Sequence, residues 1–362
     1  MQKKQGIILL ITVIIISLFG IIMIYSASSI WAEYKYHDSF KFVKSQVFFF
    51  FIGLVLIYII GKINLNFFYK HANKALFISL ILLILVLIPG IGKIRNGSRS
   101  WFGIGGFGIQ PSEFAKLGLI IFTSKYLANN NHIIKDIKKD ILPILEVIGL
   151  FFILIMLEPD FGTAMVITLT MILLIFISGV KLSFFVKMGI LGLIGITSLV
   201  IVAPYRILRI ISFLNPWTDP LGSGYQIIQS LYAIGPGGIW GLGLGNSIQK
   251  QFFLPEPQND FIFAIICEEL GIFGAIVVII LYDLIMTSIF KIAINQKNLF
   301  AKYLAIGLGT QIILQALLNM SVVVGLIPVT GVTLPFLSYG GSSLLTTMIS
   351  IGIILNISRN AS

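Results

Sequence analysis

The sequence predicts an all-α polytopic membrane protein of about ten transmembrane helices, with one large extracytoplasmic loop between the seventh and the eighth. Three observations predict it. Apolar residues make up 57% of the 362-residue chain and charged residues only 11%, for a mean hydropathy of +1.01, which no ordinary water-soluble domain shows. Leu, Ile, Val and Phe gather in runs of about 18 residues or more, long enough to cross a hydrocarbon core of about 30 Å as helix. Alternating decamers of the membrane β-barrel kind are absent. The net charge of +11 does not point to nucleic acid, because the basic residues are scattered among the loops between spans. They read as topology and anionic-headgroup signals.

Taken in order, the first run follows MQKKQ and imitates a secretion signal, but its apolar core is too long for one and further spans follow. It is expected to remain as the first helix. The spans are predicted at 6–26, 46–61, 75–90, 111–128, 142–157, 162–180, 184–204, 259–290, 302–326 and 340–357. The whole chain, 1–362, is then one integral-membrane domain, with 205–258 as the large loop inside it. Placing the N-terminus in the cytoplasm puts 15 Lys and Arg inside against 9 outside, so the positive-inside rule favours that orientation, with both termini cytoplasmic in a bacterial inner membrane. Within the large loop, Tyr225–Ile234 has helical apolar spacing and is expected to lie on the membrane surface.

The unusual chemistry collects on the outer side. Loop Ile91–Gln110 carries three basic residues, Trp101 and a glycine cluster, and Pro111, Ser112 and Glu113 then open a helix with Lys116 one turn on. The turn LEPDFG holds Glu158 and Asp160, and PEPQND holds Glu256 and Asp260 just before the eighth span. Glu268 and Glu269 follow inside that span. Carboxylates inside a membrane helix are costly and are functional by default. The single cysteine, Cys267, leaves no internal disulfide and no Cys metal cluster, and no metal ligand set is expected.

Each candidate has a plainer reading beside the functional one. Asp260 suits an N-cap as well as a general base. Lys116 is either the cation for a phosphorylated substrate or an intramembrane partner of Glu113. Arg206 and Arg209, one turn apart, are substrate cations or snorkelling anchors. Trp101 is a sugar platform or lipid contact, or an aromatic-belt anchor. Glu268 and Glu269 read as a buried acidic pair matched by a cation elsewhere. GPGGIWGLGLG imitates a nucleotide fingerprint, but with no βαβ unit around it the glycines read as a loop packed tightly on helices.

Four blocks together resemble one family. They are Arg99–Trp101 with Gln110–Glu113 and Lys116; EPDFGT from Glu158; PEPQNDFIF from Pro255 with Glu268 and Glu269; and Pro328–Gly331 with PFLSYGGSS from Pro335. The chain is similar over nearly its whole length to SEDS proteins (shape, elongation, division and sporulation), more to the FtsW and SpoVE types than to RodA. The resemblance implies a peptidoglycan glycosyltransferase that polymerises lipid II on the outer membrane face beside a class B penicillin-binding protein and other divisome membrane proteins. It implies Asp260 as the catalytic base, with Arg99, Trp101, Glu113 and Lys116 around it. A single base acting in one displacement would give inversion. No cofactor is evident; a divalent cation could assist the departing diphosphate. Two rivals stay open: a lipid II flippase, which would keep its site at the midplane, and a non-catalytic scaffold that recruits a transpeptidase.

Overall fold

The computed structural model describes residues 2–95, 97–104, 107–130, 140–202, 207 and 213–360. Helices α1 (Gln2–Tyr36), α2 (Lys41–Ile60) and α3 (Leu65–Leu87) come first, and α4 (Pro111–Asn130), α5 (Leu142–Leu157), α6 (Phe161–Ile177) and α7 (Leu182–Val202) follow. The short α8 (Tyr225–Ile234) precedes α9 (Ile262–Ile294), α10 (Leu299–Val323) and α11 (Gly341–Arg359). Each predicted span falls on one of these helices. Six of them, α1, α2, α3, α9, α10 and α11, are long and apolar enough to cross a membrane among the described residues, whereas α5 and α6 are shorter.

The surface is apolar, and polar side chains are buried within a largely apolar interior, unlike a soluble domain. Along α1 the side chains of Ile7, Ile11, Ile15, Leu18 and Ile22 stand exposed at helical spacing, and Ile272, Phe273, Ile276, Ile279 and Ile280 do the same on α9. Buried among the helices are Lys116, Glu113, Gln311, Gln315 and Asn319. Water could not leave a stripe of isoleucine unburied at such length; lipid can. Helix α10 is the central strut, touching α4, α6, α9 and α11, while α11 runs against α2 and α3 pairs with α4.

Three features differ from the sequence expectation. The Ile91–Gln110 segment is folded into a small antiparallel sheet, β1 (Lys93–Arg95), β2 (Ser98–Ile104) and β3 (Phe107–Ile109), in the order β1-β2-β3. Helix α1 runs ten residues past its predicted end, to Tyr36. The eighth span is broken: at Gly271 the backbone turns to φ 64°, ψ −158°. The carbonyls freed there are taken by the glycine-rich loop, with Leu242 N donating to Glu268 O and Gly243 N to Glu269 O, each at 2.9 Å. Across the break, Ile272 N donates to Gly238 O at 2.9 Å and Phe273 N to Ile239 O at 3.2 Å. A Cβ on Gly271 would sit 2.5 Å from Gly241 N, so no other residue fits the crossing. The first part of the eighth span is thus a short half-helix, 262–270, stapled to the large loop. Helix α8 lies alongside, burying Ile227, Ile228 and Ala233 and tying Ser230 Oγ to Val323 O at 2.7 Å.

Candidate active site

The site is a chain of hydrogen bonds running from the N-terminal turns of α4, across α10, to the PEPQND turn. Lys116 extends from α4 and is 2% exposed. Its ammonium donates to Glu113 Oε1 at 2.8 Å and to Gln315 Oε1 on α10 at 2.9 Å, which leaves one of its three protons unassigned. Glu113 is held on its other oxygen by Thr346 Oγ1 of α11 at 3.0 Å. Gln315 in turn donates to Thr333 O at 3.0 Å.

One turn along α10, Asn319 Nδ2 donates to the backbone carbonyl of Asp260 at 2.6 Å and to Val332 O at 2.7 Å. Gln315 and Asn319, four residues apart, therefore tie Lys116 and the Asp260 backbone to α10 about 6 Å apart along the helix axis. Tyr339 N donates to Gln258 O at 2.8 Å, fastening the same turn to the loop before α11.

Asp260 is half-buried. Helix α9 starts at Ile262 with Phe261 in the N-cap position and no side-chain cap, so the capping role is not the one the chain builds for Asp260. Burial pushes its carboxyl up to about 6, with the neighbouring Glu256 carboxylate adding to the rise. Glu256 sits in the left-handed region at φ 43°, and Asn259 Nδ2 donates to its Oε2 at 2.8 Å.

Asp160 caps α6, accepting from Thr163 N at 3.0 Å, and Gln110 Nε2 donates to its other oxygen at 2.9 Å. Burial raises its pKa, and the nearby Glu113 adds to the rise while Lys116 opposes it. That places Asp160 within electrostatic reach of the α4 pair. Glu158 is fully buried with neither carboxylate oxygen hydrogen-bonded, and burial together with Asp160 pushes it up to about 8.

Other candidates lie apart from this chain. The Arg99 guanidinium stands 3.4 Å from Leu87 O, at the end of α3, and Trp101 is half-buried on β2 opposite Lys93. Arg206 and Arg209 lie outside the described residues. Glu268 and Glu269 form a second cluster. Glu269 accepts from Lys250 Nζ at 3.0 Å and from Ser26 Oγ, while Glu268 accepts from Ser247 Oγ at 2.5 Å and from the amides of Ile248 and Gln249. Their work is to bind the 243–250 loop to the half-helix. Sequence reasoning missed Gln315, Asn319, Lys250 and Ser26. A signal existed for the first two, since Gln311, Gln315 and Asn319 recur every four residues in an otherwise apolar span.

A family model described as cell cycle protein, FTSW_RODA_SPOVE, matches residues 7–362. The chain belongs to the FtsW/RodA/SpoVE family. Stage V sporulation protein E of Bacillus subtilis (strain 168) is 48% identical over 358 residues, covering 99% of this chain and 98% of that protein. The probable peptidoglycan glycosyltransferase FtsW of Saccharophagus degradans is 42% identical over 341 residues, covering 93% of this chain and 88% of that protein. Among solved structures, a chain from work on structural coordination of polymerization and crosslinking by a peptidoglycan synthase complex superposes with TM-score 0.81 at 30% identity, covering 98% of this chain and 97% of that one. This member of the family is a multi-pass helical membrane protein.

Proposed function

We propose that this chain is a peptidoglycan glycosyltransferase of division or sporulation, polymerising lipid II on the outer face of the cytoplasmic membrane, with ten crossings and both termini inside. The observation that carries the reading is the bridge through Gln315 and Asn319, which joins a buried ammonium to the turn bearing a half-buried carboxylate without a salt-bridge partner among the described residues. Those are the two groups the reaction needs. Relatives named as peptidoglycan glycosyltransferases support it, as does the likeness to a chain of a peptidoglycan synthase complex.

In the proposed step, the acceptor sugar hydroxyl attacks the anomeric carbon of the donor. The new glycosidic C–O bond forms as the bond to the diphosphate breaks. The hydroxyl proton passes to the Asp260 carboxylate, and undecaprenyl diphosphate leaves with its pair of electrons. Lys116, with one proton still to donate, faces the charge that develops on the leaving group, and Glu113 and Gln315 hold it in place. Burial, with Glu256 adding to it, keeps the Asp260 carboxyl above its ordinary range, closer to the working pH of a base. Arg99, Trp101, Arg206 and Arg209 remain proposed contacts for the lipid-linked sugar at the membrane surface. A class B penicillin-binding protein and other divisome membrane proteins are the proposed partners.

The test is direct. Purified protein is supplied with lipid II and the products are separated by size. Glycan strands that vanish in Asp260→Asn support the reading. Lipid II carried across vesicle membranes without strand formation would instead favour a flippase, and neither activity would favour a scaffold. Repeating the assay in EDTA tells whether a divalent cation shares the work of Lys116.

A further inference from the structure

Asn319 fixes the backbone of Asp260 at one point, and the chain on either side of it needs a second anchor. On the C-terminal side lies the half-helix 262–270, cut off from the rest of α9 by the Gly271 break. The long part of α9 therefore cannot set where the half-helix points. On the N-terminal side, residues 250–259 are turns and bends with no helix or strand of their own.

Both sides meet at one buried junction. Glu269, in the last turn of the half-helix and 0% exposed, accepts from Lys250 Nζ at 3.0 Å and from Ser247 N at 3.2 Å. Its two oxygens also lie 2.7 and 2.6 Å from Ser26 Oγ of α1. Lys250 donates further to Gly245 O at 2.6 Å and to Ser26 Oγ at 3.2 Å, so all three ammonium protons have acceptors. The segment 250–269 thus closes on itself through one ion pair, with Asp260 at its midpoint and Ser26 tying the closure to α1. Glu268 has a different task, since its bonds to Ser247, Ile248 and Gln249 stay within the loop.

Stability alone does not account for such a junction. A buried ion pair often does no better than apolar residues of similar volume, because desolvating two charges offsets their attraction. Its directional bonds fix a geometry that apolar packing would leave loose. We propose that Ser26, Lys250 and Glu269 are positioning residues for Asp260, holding the root of its loop against α1 so that the carboxylate stays aimed at the acceptor hydroxyl. At 5% exposure or less, they act through the loop and not on the substrate. The inference rests on the reading of Asp260 as the base.

The test measures initial rates of strand formation over a range of lipid II concentrations, with melts in the same detergent. Lys250→Met/Glu269→Gln removes both charges together and leaves an amide for Ser26. Ser26→Ala keeps the ion pair and releases it from α1. The double variant should melt close to the parent and keep its KM, yet lose about 10²-fold in kcat, as when a reacting group shifts by about 1 Å. Ser26→Ala should lower kcat by less, again at constant KM. A parent-like kcat in Ser26→Ala overturns the proposal, even where the double variant fails to fold. So does a fall in kcat matched by loss of stability, which makes the junction structural, or a rise in KM alone, which makes it part of the lipid II site. Asp260→Asn assayed beside them separates the two readings. If that variant polymerises as well as the parent, the base assignment falls and the proposal with it. An inactive Asp260→Asn beside parent-like junction variants removes the positioning role alone.

Discussion

Replacing Lys116 by Met removes one charge from a network in which every bond is specified, so the consequences separate cleanly. Glu113 would keep only Thr346 at 3.0 Å, and Gln315 would lose the donor to its Oε1. Removing one partner of a buried ion pair costs about 3–5 kcal/mol, because the other charge is left uncompensated. Lys116→Met alone should therefore lower thermal stability in detergent by that amount and abolish strand formation. The double variant Lys116→Met/Glu113→Gln has no buried charge at this position and keeps an amide within reach of Thr346. It should recover most of the lost stability. If Lys116 faces the diphosphate, the double variant stays inactive while folded; if the pair is only structural, activity returns with stability. Activity in the double variant near that of the parent would refute the assignment of the cation. A single variant as stable as the parent would refute the energetic argument beneath it.

Asp260→Asn should cut polymerisation by about 10²–10⁴-fold without loss of helix α9, since the N-cap position belongs to Phe261. Because the base works ionised and its pKa is raised to about 6, the parent's rate should fall as pH drops through about 6; a rate unchanged down to pH 5 would exclude it as the base. Glu158, raised from 4.5 to about 8, binds more protons folded than unfolded, so the chain should lose stability as pH rises between those values. Glu158→Gln should flatten that dependence in melts recorded from pH 4.5 to 8, and a parent melt already flat would contradict the shift. Gly271→Ala places a Cβ 2.5 Å from Gly241 N at a left-handed φ and should free the 238–243 loop to proteolysis, while insertion of the rest of α9 survives; a loop still protected would refute the clamp.

The helices were legible because lipid imposes one rule on every span, a run of apolar residues long enough to cross, and the ten predicted runs all fall on helices. The places where the chain departs from apolar helix stood out as well, since Pro, Gly and carboxylates interrupt those runs only at a few points. Pairings did not. Glu269 could be read as needing a cation, but its owner, Lys250, is set by how the 235–250 loop folds back on Gly271. Arg99 enters as a substrate group through the resemblance, and its contact with Leu87 O, where α3 ends with carbonyls to satisfy, depends on how the sheet folds. Gln315 and Asn319 were missed for a different reason. An amide carries no charge, so a search for charged residues passes over it, although a spacing of four places both on one buried face.

The same logic explains why this chain keeps its acids in pairs. Glu256 and Asp260 sit in one turn, Glu158 and Asp160 in another, and Glu268 and Glu269 on one helix, yet the three pairs have three fates. Glu268 and Glu269 are saturated by amides, hydroxyls and Lys250, so their charge is fully used in holding backbone together. In the second pair, Asp160 is committed to the α6 cap and Gln110, while Glu158 is left without a partner. Only Asp260 combines partial exposure, a carboxylate no cation neutralises among the described residues, and a backbone fixed from the neighbouring helix by Asn319. A base needs that combination, since a saturated carboxylate cannot accept a proton and a mobile one cannot be aimed. The distinction among six acids of similar sequence context therefore lies in which hydrogen bonds they already make.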